Sequence, residues 1–227
     1  MSRLPRIIVP GIPHHVTQRG NRRQQIFLQD DDYALYRDWL ALACRSNGVE
    51  VWSYCLMPNH VHLILAPSDQ SGLSRAVGET HRRYSGYINA RLRVTGHLFQ
   101  GRFGCVAMDE AHLMAAFRYV AMNPVKASLA ATAADWPWSS TPAHLRRKDD
   151  GLVTVRPLLD RVDRFADFLE VPADPERVAA LTKGQTIGRP LMGDQELGEL
   201  EKRLGRTLRP GKRGRPRSQK NDPSQLN

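Results

Sequence analysis

The chain of 227 residues predicts an α+β fold: a ferredoxin-like (split βαβ) antiparallel sheet with helices on one face. Three observations carry this. Apolar stretches of period two alternate with longer stretches of helical period in the order β-α-β-β-α-β-α. Only Pro58-Asn59 separates VEVWSYCLM from HVHLILAP, so these two strands form a hairpin. No run of 18 apolar residues exists, and the hydrophobic fraction of 41% suits a globular chain with one sizeable core.

In order, IPHHVTQRG (Ile12–Gly20) reads as the first strand, rich in β-branched residues and followed by the basic loop GNRRQQIF. DDDYALYRDWLALACRSNG is a helix, with Asp30, Asp31 and Asp32 at its positive end and Asn47-Gly48 stopping it. The hairpin strands follow. SGLSRAVGETHRRYSGYINARLRVTG is a long basic helix opened by serine and stopped at Gly96. A short fourth strand lies in GHLFQGRFGCVAM, and DEAHLMAAFRYVAMN is a helix with acids in its first turn. DWPWSSTPAHL (Asp135 to Leu145) is an aromatic-rich closing loop. Three units result: a catalytic domain over 1–148, a short helical extension over 149–182, and a basic, flexible DNA-binding tail over 183–227.

Net charge is +10, and the stretch from Lys202 to Lys220 holds nine Lys or Arg and no acid. Such a surface seeks a polyanion, and nucleic acid is the default partner. Cys44, Cys55 and Cys105 are scattered within apolar surroundings and form no CxxC pair, which points to reduced thiols in the cytoplasm and away from a zinc ribbon. The basic N-terminus has no long apolar core and does not read as a secretory signal.

Side chains two apart on a strand share a face. His60 and His62 therefore aim two imidazoles at one spot, while Val61 and Leu63 face the core. Two readings stand for the pair: satisfied buried histidines, or two arms of a divalent metal site. No Asp and His follow as in zinc hydrolases, which favours Mg²⁺ or Mn²⁺ completed by oxygen ligands. Tyr119 and Asn123, four residues apart, share one helical face, and Asn123 precedes Pro124 near the helix end. A tyrosine one turn from an amide oxygen, with Arg118 beside it, is a candidate nucleophile for phosphoryl transfer. His14 and His15, being adjacent, face opposite ways; neither is expected to be a ligand.

These segments carry a resemblance. MPNHVHLIL resembles the histidine-hydrophobic-histidine (HUH) signature of single-strand DNA endonucleases, and RYVAMNPVKASL resembles the nucleophile helix of their single-tyrosine transposases. PGIPHHVTQRGNRRQQIF, GHLFQGRF, NPVKASL, DWPWSS and the GRPL…KRGRPR tail together resemble the REP-associated tyrosine transposases of bacteria, most strongly from about Arg3 to Leu145. The resemblance implies that His60, His62 and Asn123 hold one Mg²⁺ or Mn²⁺ at the scissile phosphate and that Tyr119 attacks phosphorus, leaving a 5′-phosphotyrosine and a free 3′-hydroxyl. Asn123 is shorter than the Gln frequent at that position in the wider superfamily. It further implies a partner: single-stranded, hairpin-forming DNA of repetitive extragenic palindromic type, bound at the nucleoid. Arg19, Asn21, Arg22 and Arg23 would read bases or phosphates beside the metal, and Arg102 in FQGRF and Arg118 would meet the backbone. Arg213, Arg215 and Arg217 in RGRPR resemble an AT-hook or, more plainly, a phosphate-binding tail. A monomer assembling its site within one chain is favoured over a dimer. The rivals are a non-catalytic DNA-binding protein and a phosphoesterase that uses water.

Overall fold

Nine residues of β-rich sequence, a two-residue turn and eight more leave the chain little choice but to fold back on itself. In the computed structural model, which describes residues 6–209, that hairpin is β2 and β3 of a sheet. The elements in chain order are β1 (His14–Arg19), α1 (Asp30–Ser46), β2 (Val49–Met57), β3 (His60–Pro67), α2 (Gly72–Leu92), β4 (Gly104–Ala107) and α3 (Glu110–Lys126). After them come α4 (Thr141–Arg146), α5 (Arg156–Leu159), α6 (Phe165–Glu170), α7 (Pro175–Ile187) and α8 (Asp194–Leu204). The sheet order is β2-β3-β1-β4, every pair antiparallel, as a split βαβ unit requires.

Local chemistry explains the boundaries. Asp32 accepts from the backbone N–H groups of Leu28 and Gln29, satisfying donors at the start of α1. Gly48, with φ of +61°, turns the chain out of α1 into β2. Asp109 caps α3 by accepting from the His112 N–H. Pro124 does not end α3, as its sequence position suggests; the helix runs on to Lys126, because the proline sits in the last turn and costs one bond there.

The pleat divides the molecule into two cores. On one face Val16, Val61, Leu63 and Leu65 pack against Tyr33, Tyr36 and Leu40 of α1 and Leu73, Val77, Tyr84 and Ile88 of α2. The two crossover helices thus share one face, as expected. On the other face Cys55, Met57 and Ile64 pack against Leu113, Phe117 and Val120 of α3, with Phe165 and Leu181 from the extension completing that core. Helix α3 therefore adds a third layer opposite α1 and α2.

Both sheet edges are covered. The outer edge of β2 is bonded by the closing loop, with Leu56 N–H donating to Trp138 O and Ser140 N–H to Tyr54 O, and by Thr154 N–H donating to Val51 O. Along β4, Leu191 N–H donates to Ala107 O and Asp109 N–H to Leu191 O. The boundary drawn at Lys183 needs correction. α7 runs through it, and α8 is anchored by Leu200, which with Leu208 joins Ile7 and Val9 in a third small cluster. What holds residues 183–209 is burial against β4 and the N-terminal segment, a long-range contact that a Gly-, Pro- and Arg-rich composition does not announce. Arg213, Arg215 and Arg217 lie outside the described residues.

Candidate functional site

Strand β3 places His60 and His62 on the α3 face, and the register puts Arg19 of β1 opposite His60 and Thr17 opposite His62. The imidazole centroids of His60 and His62 lie 4.8 Å apart at 80°. Tyr119 comes down from α3 onto the same spot, its ring 5.3 Å from that of His62 and perpendicular to it. Histidines and tyrosine are thus assembled from one chain.

A third imidazole joins them. His15 stacks on His62 with centroids 5.3 Å apart, and its Nε2 is 3.1 Å from His62 Nδ1. Of the adjacent pair, His15 looks into the site and His14 away from it; His14 sits between Val9 N and Ile12 O. The parity of β1 allowed one of the two to face His60, and register decides which. His15 was not among the expected site residues, and only the strand pairing reveals it.

Burial governs the charges. Desolvation, with a smaller push from Arg19, lowers the His60 pKa to about 4. His62 lies well below its ordinary value for the same reason, reinforced by His15, His60 and Arg19. His15 falls to about 4 by burial alone. All three are neutral at pH 7, the form that donates a lone pair to a cation. Asn59 Oδ1 stands 2.6 Å from His60 Nδ1, and His15 Nε2 faces His62 Nδ1. With the protons on Nδ1 in both residues, each Nε2 is left free as a ligand atom, the arrangement that outer partners enforce at metal centres. Two neutral imidazoles with free Nε2 atoms are the part of a divalent-ion shell that this chain could supply here. Among the described residues no three of His, Cys, Asp or Glu are grouped to hold a metal. An ion held by His60 and His62 would have to complete its shell with amide, phosphate or water oxygens.

The other expected residues divide. Asn123 sits one turn from Tyr119 and donates its amide N–H to the Tyr119 carbonyl at 2.9 Å, which leaves its oxygen as the outward atom. The loop Asn21–Arg23 packs on the hairpin turn beside His60: Gly20 N–H donates to Asn59 O, and Asn59 Nδ2 donates to Arg23 O. Arg22 and Arg23 are exposed and both left-handed, with φ of 51° and 63°, a strained backbone for side chains with a Cβ. Arg102 is exposed in a segment tied to β1 by the Gln100 N–H to Arg19 O bond. Arg118 turns away instead, donating to Phe168 O at 2.9 Å and lying over that ring, because successive helical residues diverge. Arg91 of the long basic helix α2 pairs with the buried Asp32 carboxylate at 2.8 Å. Lys126 was missed: its Nζ lies 5.4 Å from the Tyr119 ring centroid, two helical turns on.

Residues 9–123, half of the chain, match the sequence profile described as IS200-like transposase. The chain belongs to the IS200-like transposase family. Its fold is similar to that of a REP-associated tyrosine transposase bound to a REP hairpin, at TM-score 0.56 and 23% identity over 68% of this chain and 90% of that one. A protein from Deinococcus radiodurans described as a candidate transposase aligns at TM-score 0.38 and 21% identity, over 56% of this chain and 98% of the other. No curated protein matches. No described helix is long and apolar enough to cross a membrane.

Proposed function

We propose that this transposase-family protein is a metal-dependent, single-tyrosine endonuclease and strand transferase acting on single-stranded, hairpin-forming repeat DNA. The observation that carries the reading is the perpendicular packing of Tyr119 on His62, 5.3 Å apart, beside a second neutral imidazole. A half-buried phenol needs no such company to be structural, and two histidines need no tyrosine; their convergence serves a displacement at phosphorus. The REP hairpin bound by the structurally similar transposase suggests the substrate class.

In this reading His60, His62 and the Asn123 oxygen hold Mg²⁺ or Mn²⁺, which supplies Lewis acidity to the phosphoryl oxygens. Arg19, half-buried and in register with His60, orients the scissile phosphate. Tyr119 Oη attacks phosphorus, its proton leaves, and the P–O3′ bond breaks with its electrons on the 3′ oxygen, which takes up a proton. The product is a 5′-phosphotyrosine and a 3′-hydroxyl. Lys126 stands where it can offset the charge on the phenolate. The ester bond energy is kept in the covalent link, so rejoining or transfer needs no nucleotide cofactor. Assembly from one chain supports action as a monomer.

A labelled single-stranded hairpin incubated with Mn²⁺ should yield a protein–DNA adduct stable on a denaturing gel and absent with Tyr119→Phe. No adduct with the wild-type protein, or one that persists in Tyr119→Phe, overturns the proposal. Cleavage without an adduct in both would mean that water is the nucleophile.

A further inference from the structure

His15 occupies a position where the sheet calls for an aliphatic side chain. Its register partners are Ile64 on β3 and Val106 on β4, both fully buried, so the three form one row across the α3 face. Another valine or leucine would fill that row at no polar cost. The imidazole of His15 is fully buried there, its Nε2 is 3.1 Å from His62 Nδ1, and its Nδ1 has no hydrogen-bond partner among the described residues. Buried polar atoms without partners are rare in folded proteins, and each asks for an explanation. His14, next in the chain and equally buried, shows what a histidine held for structure looks like: its ring accepts from Val9 N–H and bonds to Ile12 O. His15 makes one bond, and that bond goes to the site.

The two expected ligands differ in what stands behind them. His60 Nδ1 faces Asn59 Oδ1 at 2.6 Å, and the Asn59 amide N–H is engaged by Arg23 O. A carbonyl oxygen only accepts, so the His60 proton is placed on Nδ1. His62 instead faces another imidazole, which can give or take. Between the two neutral rings one proton spans the 3.1 Å gap, in one of two arrangements. If His15 Nε2 donates, the His62 proton lies on Nε2 and no lone pair is left there for an ion. If His15 Nε2 accepts, the His62 proton lies on Nδ1, its Nε2 is free, and the His15 proton sits on Nδ1. A cation at His62 Nε2 draws charge from the ring and makes Nδ1–H a stronger donor, so ion binding selects the second arrangement.

We infer that His15 is a positioning residue: it accepts the His62 Nδ1–H, fixes the rotation of that ring and keeps its Nε2 unprotonated towards the ion. This rests on the reading of His60 and His62 as ion ligands above. The unpaired His15 Nδ1–H is the stability given up for that function, since only a ring with its proton there can accept at Nε2. The same ring supports the nucleophile. His15 stacks on His62 at 15°, and Tyr119 meets both rings edge-on, at 81° and 90°. Removing His15 therefore loosens a ligand and the phenol together.

The test uses the full chain with Mn²⁺ alone as the probe, affinity being read by electron paramagnetic resonance titration. His15→Leu should weaken Mn²⁺ binding by about 10–100-fold, with a melting temperature at or above that of the wild type. His15→Gln puts an amide where the imidazole Nε2 stood and should recover most of the affinity. His15→Asn, whose amide reaches only as far as Nδ1, should not. With ¹⁵N-labelled histidine and excess Mg²⁺, long-range ¹H–¹⁵N correlation should show His62 and His15 both protonated at Nδ1. A His62 proton on Nε2 in the Mg²⁺-loaded protein overturns the proposal. So do equal Mn²⁺ affinities in the wild type and His15→Leu, Gln and Asn variants that bind alike, or losses of affinity that track losses of melting temperature across the three. If His62→Ala abolishes Mn²⁺ binding in those cases, the ion reading stands and the assignment of His15 alone fails. If the wild-type protein binds no Mn²⁺, both fail.

Discussion

Strand β3 puts Val61, Leu63 and Leu65 on one face of the sheet and His60 and His62 on the other, and the two faces are built on opposite physical terms. The first is a dry interior in which Tyr36, Tyr84 and Phe27 interlock with aliphatic side chains of the sheet. The second buries polar rings that gain little from burial and are held by a short chain of hydrogen bonds, Asn59 to His60 and His15 to His62. Aliphatic and aromatic burial contributes stability on both faces, but the His15–His60–His62 patch on the α3 face is maintained at some cost to stability so that lone pairs and a phenol converge. Truncating each face should separate the two. His62→Ala should lower metal-dependent cleavage by at least about a hundredfold, with a melting temperature equal to or above that of the wild type. Leu63→Ala, one residue away, should cost about 2–5 kcal/mol of folding free energy while the molecules that remain folded still form the adduct. Denaturant titration and adduct yield on the same preparations check both. Equal destabilisation by the two variants would break the comparison.

A pH titration sharpens it next, through two histidines that serve structure alone. Burial lowers His14 to about 4 and His81 to about 3, against an unfolded value of about 6.5. Since the unfolded chain takes up protons first, the stability from burying these neutral rings is complete above pH of about 6.5. It is lost progressively as pH falls from about 6.5 to the folded values of about 4 and about 3. The urea midpoint should therefore fall on going from pH 7.5 to 4.5. His81→Gln, which can keep a bond to Tyr36 Oη, should flatten part of that slope. A midpoint that does not move would mean that these rings are charged or solvated in the folded chain.

How much of this was legible in the sequence differs by region, for physical reasons. The period-two alternation of HVHLILAP assigns the faces of β3 without any coordinates, and the spacing of Tyr119 and Asn123 puts both on one side of α3. His15 was not legible, because adjacent histidines have opposite parity and only the β1–β3 register chooses between them. The fate of Arg118 depends on where α6 docks, and the closeness of Gln185 to Thr17 depends on where α7 docks. Helices as short as these gain most of their stability from tertiary packing, so local pattern says little about their placement.

The docking of α7 can be challenged directly. Gly104→Ala adds a Cβ within 2.7 Å of the Gln185 carbonyl, a backbone atom that cannot swing aside. A cost of about 1–3 kcal/mol is expected, of the size seen for overpacked sites. It should be local: faster amide exchange over Pro175–Ile187 with β3 and α2 protected as before. Uniform loss of protection would mean that the extension and the sheet fold as one unit.

The smallest effect concerns the atom that orients a ligand rather than the ligand itself. Asn59 lies in the turn of the β2–β3 hairpin, where its Oδ1 faces His60 Nδ1 at 2.6 Å and its Nδ2 donates to the Arg23 carbonyl. It thereby links the basic loop to the first histidine. Asn59→Ala removes the acceptor, allows the His60 proton to move to Nε2 and leaves the ring free to rotate. Removing such an outer partner costs about 10–100-fold in metal affinity at well-studied centres. This ring is also held by burial, so the lower figure, about tenfold in Mn²⁺ affinity by electron paramagnetic resonance titration, is expected here. Asn59→Asp keeps an acceptor at the same point and should retain or tighten binding, since a carboxylate holds the Nδ1 proton more firmly. If Ala and Asp weaken Mn²⁺ alike, the contribution of Asn59 lies in the Arg23 loop and not in the imidazole, and the hydrogen-bonded chain behind the site is shorter than the geometry indicates.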